Sequence, residues 1–447
     1  MMSSFARKLL AATVAALFAG SAAVGQILPG VQLPPVNVPV GNVPVVGPVV
    51  QPVIQQVLSD PETRQVIHRP LDYVGGLPER VAQAGDATLL ELRRLRLQQL
   101  LRDHRRELEN NGSGLPVRRG VLMVADPDDQ SLRAAIAAGF RIVADERIDE
   151  LGLRTVELAV PRGMSARDGL RRLRQAAPRL QADFDHVFEP AGGALLPAAG
   201  SLAIAQASPG GRKIGIIDGG VASHPSLASA SIEQRGFAGS PQPTGHGTAV
   251  ASLIVGSHGA FAGAARGSSL LVADVYGGNR AAGSASTIVR ALGWLAAHRP
   301  VVINVSLVGP ENAVVARAVQ AVRGRGIQVV AAVGNDGPAA PPQFPASYPG
   351  VIAVTAVDAS GRALPEAGRS AHLDFAAPGS DMAAALPGQG YARVRGTSFA
   401  APLAAARLAV AGSPQRLAAE ARPGRGRVGR GIVCGDCRIA PRVVGAK

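Results

Sequence analysis

Lysine is almost missing from this chain. It occurs three times in 447 residues, at positions 8, 213 and 447, although lysine and arginine together number 46. The positive side of the +14 net charge is therefore arginine. Those arginines are scattered, aromatics make up only 3% of the chain, and no nucleic-acid motif accompanies them. The charge therefore does not describe a nucleic-acid surface. Cysteine is as scarce, with only Cys434 and Cys437. One Cys-x-x-Cys pair with no histidine nearby cannot complete a four-ligand zinc site, and no βαβ context surrounds it as in a redox motif. No metal site is expected. With so few aromatics the core must be built from alanine, valine, leucine and isoleucine. The 47% hydrophobic content is enough for one, and the length allows two or three domains.

Residues 1–25 read as a secretory signal: Arg7 and Lys8, an apolar run over 9–18, then small residues over 21–25. The run is too short to favour a membrane anchor, and no second spanning stretch follows. Residues 26–85 read as a spacer, rich in proline and valine over 26–57, where proline blocks helix and ladder and leaves extended chain. Residues 86–112 read as a basic amphipathic helix. Asp86 is its N-cap, and Leu89, Leu90, Leu92, Leu95, Leu97, Leu100, Leu101 and Leu108 recur at near-helical spacing up to Asn110-Asn111-Gly112. Docking on a neighbouring domain and lying on an anionic membrane of the cell envelope are both open to such a helix. A secreted or periplasmic chain meets an oxidising compartment, where Cys434 and Cys437 read as a local disulfide. It would close the tail, 412–447, in which eight basic and two acidic side chains form the one concentrated basic patch.

Residues 113–191 carry strand, helix, strand, strand, helix and strand over 117–125, 129–138, 141–147, 155–160, 165–177 and 183–188. That order is the ferredoxin-like split βαβ arrangement, an α+β scaffold that declares no function by itself. A small-residue linker fills 192–211. Over 212–411 short apolar strands alternate with helices, which implies an α/β fold with a mostly parallel sheet covered by helices. Ligands of such sheets bind beyond the carboxyl ends of the strands. Asp218, Ser306 and Asn335 fall at such ends.

Four short segments then stand out. Ile216-Ile217-Asp218-Gly219-Gly220 ends a buried strand in a carboxylate, and Gly245-His246-Gly247-Thr248 starts a helix with an imidazole. Val333-Gly334-Asn335-Asp336-Gly337 puts an amide in a glycine turn, and Gly396-Thr397-Ser398 puts a hydroxyl at a helix start. Singly these are a strand-end turn, a helix cap, an Asn-Asp-Gly turn and a helix start. Together they are a nucleophile, a base, an orienting acid and an oxyanion donor. A helix N-terminus also favours negative charge developing at Ser398.

The chain order Asp, His, Ser is that of subtilisin, and residues 212–411 resemble the subtilisin-like serine peptidases, with Leu373-Asp374-Phe375-Ala376-Ala377-Pro378-Gly379 as a further similar segment. The resemblance implies a serine endopeptidase acting on protein or peptide substrates. In it Ser398 attacks, His246 moves the proton, Asp218 holds the imidazole, and Asn335 with the Ser398 N–H holds the oxyanion. It implies substrate binding by Ser306, Leu307, Val308, Gly309 and Gly334. It also implies that 113–191 is a propeptide, an intramolecular inhibitor removed by self-cleavage between Phe188 and Arg212. Two departures are visible. Gly219 stands where the family usually has serine or threonine. Val308 stands where many members have glycine, and is expected to narrow the groove in favour of small or slender side chains. No cofactor is required by this chemistry. Relatives often hold calcium in surface loops, but no acidic loop here reads as a calcium site. The other reading left open is an envelope-associated binding protein on the same scaffold with little activity, suggested by the long N-terminal region.

Overall fold

Seven short strands form one all-parallel sheet. They are β7 (Lys213–Asp218), β8 (Ile232–Gly236), β11 (Ser269–Asp274), β12 (Val302–Val305), β14 (Gln328–Ala332), β15 (Ile352–Val357) and β16 (Phe375–Pro378), in the order β16-β15-β14-β12-β7-β11-β8. The computed structural model describes residues 85–191, 211–388 and 390–446. The signal over 1–25, the spacer up to residue 84 and nearly all of the linker after residue 191 lie outside the described residues. Side chains alternate across the sheet. Ile214, Ile216, Val330 and Ala332 join one core with α4 (Gly245–Val255) and α7 (Thr397–Ala411). Ile217, Val329 and Ala331 join another with α5 (Ala285–His298) and α6 (Ala313–Gly324). Both faces are thus covered, as a parallel sheet requires. Two small hairpins complete this layer: β9 (Ser257–His258) with β10 (Phe261–Ala262), and β17 (Met382–Ala385) with β18 (Tyr391–Val394).

The preceding module is ferredoxin-like. Its strands β2 (Pro116–Ala125), β3 (Arg141–Ile148), β4 (Leu153–Ala159) and β5 (Gln181–His186) lie antiparallel in the order β5-β2-β4-β3. Helices α2 (Asp129–Ala137) and α3 (Ala166–Ala176) contribute Leu132, Ala135, Leu170 and Leu173 to a core on one side. The other face is shared with the large domain: Met123, Ala125, Ile148 and Leu153 enter the same core as α5 and α6. Two carboxylates of β5 finish the contact. Asp185 accepts from the Ser286 N–H and hydroxyl at the start of α5, both 2.9 Å. Asp183 accepts from the Ala313 N–H at the start of α6, also 2.9 Å. Helix N-termini carry unpaired N–H groups and partial positive charge, so two acids there hold the module in register.

Two boundaries differ from the sequence reading. The Leu/Arg helix, α1 (Asp86–Asp103), stops well before residue 112; a turn over 104–107 follows, and Leu108 lies on β1 (Leu108–Asn110), paired with β2. Gly85 rather than Asp86 holds the N-cap position. The helix docks on the protein, with Leu89, Leu92, Leu97 and Leu100 buried. The second boundary is at residue 412. The tail is no appendage: α8 (Pro414–Ala419) buries Leu417, and Ile432 bridges Ala376 in parallel, extending the sheet past its β16 edge. Covering an edge strand in this way satisfies its free backbone groups. Cys434 and Cys437 are disulfide-bonded in this returning segment. No helix among the described residues is long and apolar enough to cross a membrane.

Candidate active site

Asp218 closes β7, near the middle of the sheet, and is fully buried. His246 is the second residue of α4, whose N-cap Thr244 accepts from the Gly247 N–H at 3.0 Å. The imidazole Nδ1 donates to the Asp218 carboxylate, 2.9 Å from Oδ1 and 2.8 Å from Oδ2. With Nδ1 as donor, neutral His246 presents Nε2 as a lone-pair base. Asp218 Oδ1 also accepts from the Gly219 N–H at 2.7 Å. The glycine after the aspartate now has a cause. A β-carbon at Gly219 would stand 2.5 Å from Thr244 Oγ1, so the cap of α4 fills the space a serine would need.

Ser398 is the second residue of α7 and is buried. Its Oγ and His246 Nε2 are both buried without a hydrogen-bond partner among the described residues. Unpaired buried polar atoms are uncommon and call for a reason. The two are complementary in kind, a hydroxyl that can donate and a ring nitrogen that can accept. Asn335 has its amide oxygen held by the Thr397 N–H at 3.0 Å, which leaves the NH2 end to donate. Thr397 Oγ1 in turn accepts from the Gly334 N–H at 3.1 Å. Ser306 Oγ donates to the Ser398 carbonyl, and Asn304 Nδ2 donates to Ser306 Oγ, each at 2.9 Å. Arg395, just before the serine loop, makes a bidentate pair with buried Glu366 at 2.7 and 3.0 Å, and the Glu366 carbonyl accepts from Gly337 N–H at 2.9 Å. Sequence reasoning missed the Glu366–Arg395 pair; 29 positions separate the two, and no periodicity links them. Thr397 was visible in the motif but had no role.

A short strand pair lies beside Ser306, whose hydroxyl holds the Ser398 carbonyl. The pair β6 (Glu189–Pro190) and β13 (Leu307–Val308) is antiparallel, with Leu307 opposite Pro190 and Val308 opposite Glu189. The Ala191 N–H donates to the Ser306 carbonyl at 2.9 Å. On the other side the Phe188 N–H donates to the Gly283 carbonyl at 2.7 Å, and Tyr276 Oη donates to the Phe188 carbonyl at 3.0 Å. Phe188 is fully buried, and a β-carbon at Gly309 would fall 2.5 Å from its ring, so that glycine makes room for the phenyl group. Val308 Cγ1 lies 3.3 Å from where a β-carbon on Gly334 would stand. Of the residues singled out in the sequence, Asp218 and His246 are joined directly, and Ser398, Asn335, Gly334 and Ser306 by the hydrogen bonds above. Leu307, Val308 and Gly309 line the strand. Cys434 and Cys437 pair in the tail segment.

Charge binds this strand as well. Glu189 is buried between two guanidinium groups, Arg280 Nη2 at 2.9 Å and Arg96 Nε at 3.2 Å. Arg96 reaches on to Asp336 at 2.9 Å, and Arg93 pairs with the same carboxylate at 3.0 Å. Burial alone would raise the Glu189 carboxyl, but Arg96 and Arg280 outweigh it and hold it below the usual glutamate value.

A parallel sheet with a carboxylate, an imidazole and a hydroxyl at its carboxyl edge, and a peptide strand laid beside them, defines a serine hydrolase built for extended polypeptide. The profile of the subtilase family matches residues 210–420. Subtilisin Savinase of Lederbergia lenta is 34% identical over 198 residues, 43% of this chain and 72% of that protein. The alkaline protease of Alkalihalobacillus alcalophilus is 34% identical over 198 residues, 43% of this chain but 51% of that protein, so the chain spans about half its length. Among solved structures, fervidolysin from Fervidobacterium pennivorans, a keratinolytic enzyme related to subtilisin, has the same fold. Its TM-score is 0.58 at 19% identity, over 74% of this chain and 61% of that one. The chain belongs to the subtilase family of subtilisin-like serine peptidases.

Proposed function

We propose that this chain is an exported endopeptidase made as a zymogen that cuts itself after Ala191. The observation that carries the reading is residues 188–191 lying as a substrate strand, with the Ala191 N–H on Ser306 and Ser306 on the Ser398 carbonyl. In this reading Ser398 Oγ attacks the Ala191 carbonyl while His246 Nε2 takes its proton. Asp218 holds the imidazole and stabilises its charged form. The oxyanion sits between Asn335 Nδ2 and the Ser398 N–H. Collapse breaks the bond to Gly192, whose nitrogen receives the proton from His246. Water then releases the acyl group by the same steps in reverse roles. The ferredoxin-like module acts as propeptide and inhibitor, and the signal-like residues 1–25 supply export. A fluorophosphonate tests the site directly: labelling confined to Ser398, lost in Ser398→Ala, is the expected result, and a folded, processed chain that takes no label contradicts it.

Val308 sets the preference for a small residue at the scissile bond, consistent with alanine at 191. Val308→Gly is expected to raise kcat/KM for peptides with leucine or phenylalanine there by roughly tenfold relative to alanine, the scale of a methyl-sized change in a pocket. Unchanged ratios across a peptide library would remove Val308 from this role.

The Glu189 pairs also set a pH dependence. A carboxyl depressed in the docked state favours docking above its free pKa, and that contribution is lost as pH falls through the docked value. The cleaved module is therefore expected to stay bound at neutral pH and to loosen below about pH 4, under the ordinary glutamate pKa. The facing groups are Arg96, Arg280, Arg93 and Asp336. Native mass spectrometry of the processed protein reads this out, with far-UV circular dichroism reporting the fold. Release at the same pH from the Glu189→Gln chain would show that Glu189 is not the group responsible.

A further inference from the structure

Backbone pairing alone seats a strand in the groove, yet the side chain of Glu189 is bound by ion pairs as well. Among the described residues five charged groups meet there, and cleavage after Ala191 divides them. Arg93, Arg96 and Glu189 belong to the N-terminal part; Arg280 and Asp336 belong to the peptidase. Arg280 sits on a short turn, Arg280–Ala282, between β11 and α5, where the Asn279 side chain accepts from the Ala281 N–H at 3.0 Å. Its guanidinium is largely buried, with a side-chain exposure of 12% against 9% for Glu189. Asp336 reaches Glu189 only through Arg96, whereas Arg280 touches it directly. When the module leaves, it takes Glu189 and the two α1 arginines with it. Arg280 stays on the wall of the cleft, at the place where the side chain of the third residue before the cut falls.

We infer that Arg280 is a specificity-determining residue that selects peptides with an acidic side chain three residues before the scissile bond, counting the residue at the bond as the first. The inference rests on the peptidase reading and on Ala191 as the residue at the bond. A glutamate there restores the charge-assisted pair that Glu189 makes. Glutamine offers a weaker acceptor. Lysine brings like charge into a confined site, where a poorly compensated cation is costly. The module is thereby a sample of the preferred substrate, with Phe188, Glu189, Pro190 and Ala191 marking the four residues before the cut.

The test compares three chromogenic peptides, Phe-X-Pro-Ala with X as Glu, Gln or Lys, on the self-processed protein and its Arg280→Gln and Arg280→Glu variants. Wild type is expected to prefer Glu over Gln by on the order of tenfold in kcat/KM, the scale of one charge-assisted hydrogen bond, with Lys poorest. Arg280→Gln is expected to flatten the series, and Arg280→Glu to turn it towards Lys, which also shows that this variant is folded. Equal rates on Glu and Gln in wild type, or the same ratios in all three proteins, overturn the inference while leaving the peptidase standing. Hydrolysis of none of the peptides, with Ser398 unlabelled by a fluorophosphonate, overturns the peptidase reading and the preference with it.

Discussion

Replacing His246 with alanine is expected to lower kcat for peptide hydrolysis by about 10⁶-fold and to leave the full-length chain uncut; the magnitude is carried over from the same change in subtilisin. The geometry says why so much rests on one ring. Its Nδ1 is fixed by both oxygens of Asp218, at 2.9 and 2.8 Å, and its Nε2 has no partner among the described residues. Without it Ser398 keeps its place at the head of α7 but is an ordinary alcohol, whose proton has nowhere to go. Asp218→Asn should cost less, because the base remains and only its tautomer and charge are disturbed. Single-turnover kinetics with circular dichroism and a melting curve separate lost chemistry from lost folding, since His246 is buried and its removal leaves a gap. A His246→Ala protein that keeps more than a hundredth of the rate would mean that another group takes the serine proton.

Asn335→Ala is the second large expected effect, a fall of about 10² to 10³ in kcat with KM little changed, a range known from the corresponding subtilisin residue. In the proposed mechanism the asparagine has two tasks. Its oxygen receives the Thr397 N–H at 3.0 Å, which fixes the peptide just before Ser398. Its NH2 is the end left to donate to an oxyanion. Asn335→Asp separates them, because a carboxylate keeps the acceptor and loses the donor. If donation dominates, Asp is as poor as Ala or worse, since it repels the developing charge. If Asp recovers most of the rate, positioning of Thr397 is the main task. Steady-state kcat and KM on one peptide for the three proteins decide between these.

The fold class was legible because apolar strands and helices alternate at regular spacing, and hydrophobic periodicity is local. The candidate residues were legible for a related reason. A strand-end Asp-Gly-Gly, a Gly-His-Gly-Thr and a Gly-Thr-Ser are each a few residues long, and each fixes its own side chain at the end of an element. What stayed hidden depends on pairs of distant segments. The Leu/Arg pattern ran past the true end of α1 because Leu108 is buried on β1 against β2, and an apolar residue satisfies either element. The tail read only as a basic stretch closed by a disulfide because its many arginines surround a few buried residues, Leu417, Val433 and Ile439. Asp183 and Asp185 looked like ordinary strand residues; that each meets the start of a different helix follows only from docking. Arg96, Glu189, Arg280 and Asp336 are separated by tens of residues in sequence, so their network left no trace in it.

The most direct test of the account is the intact mass of the full-length chain over time, beside a Ser398→Ala version. The wild type should split into two fragments whose masses place the new N-terminus at Gly192, the residue after Ala191, while Ser398→Ala stays whole. A wild type that remains whole, or a Ser398→Ala chain cut at the same bond, would contradict self-cleavage by this serine.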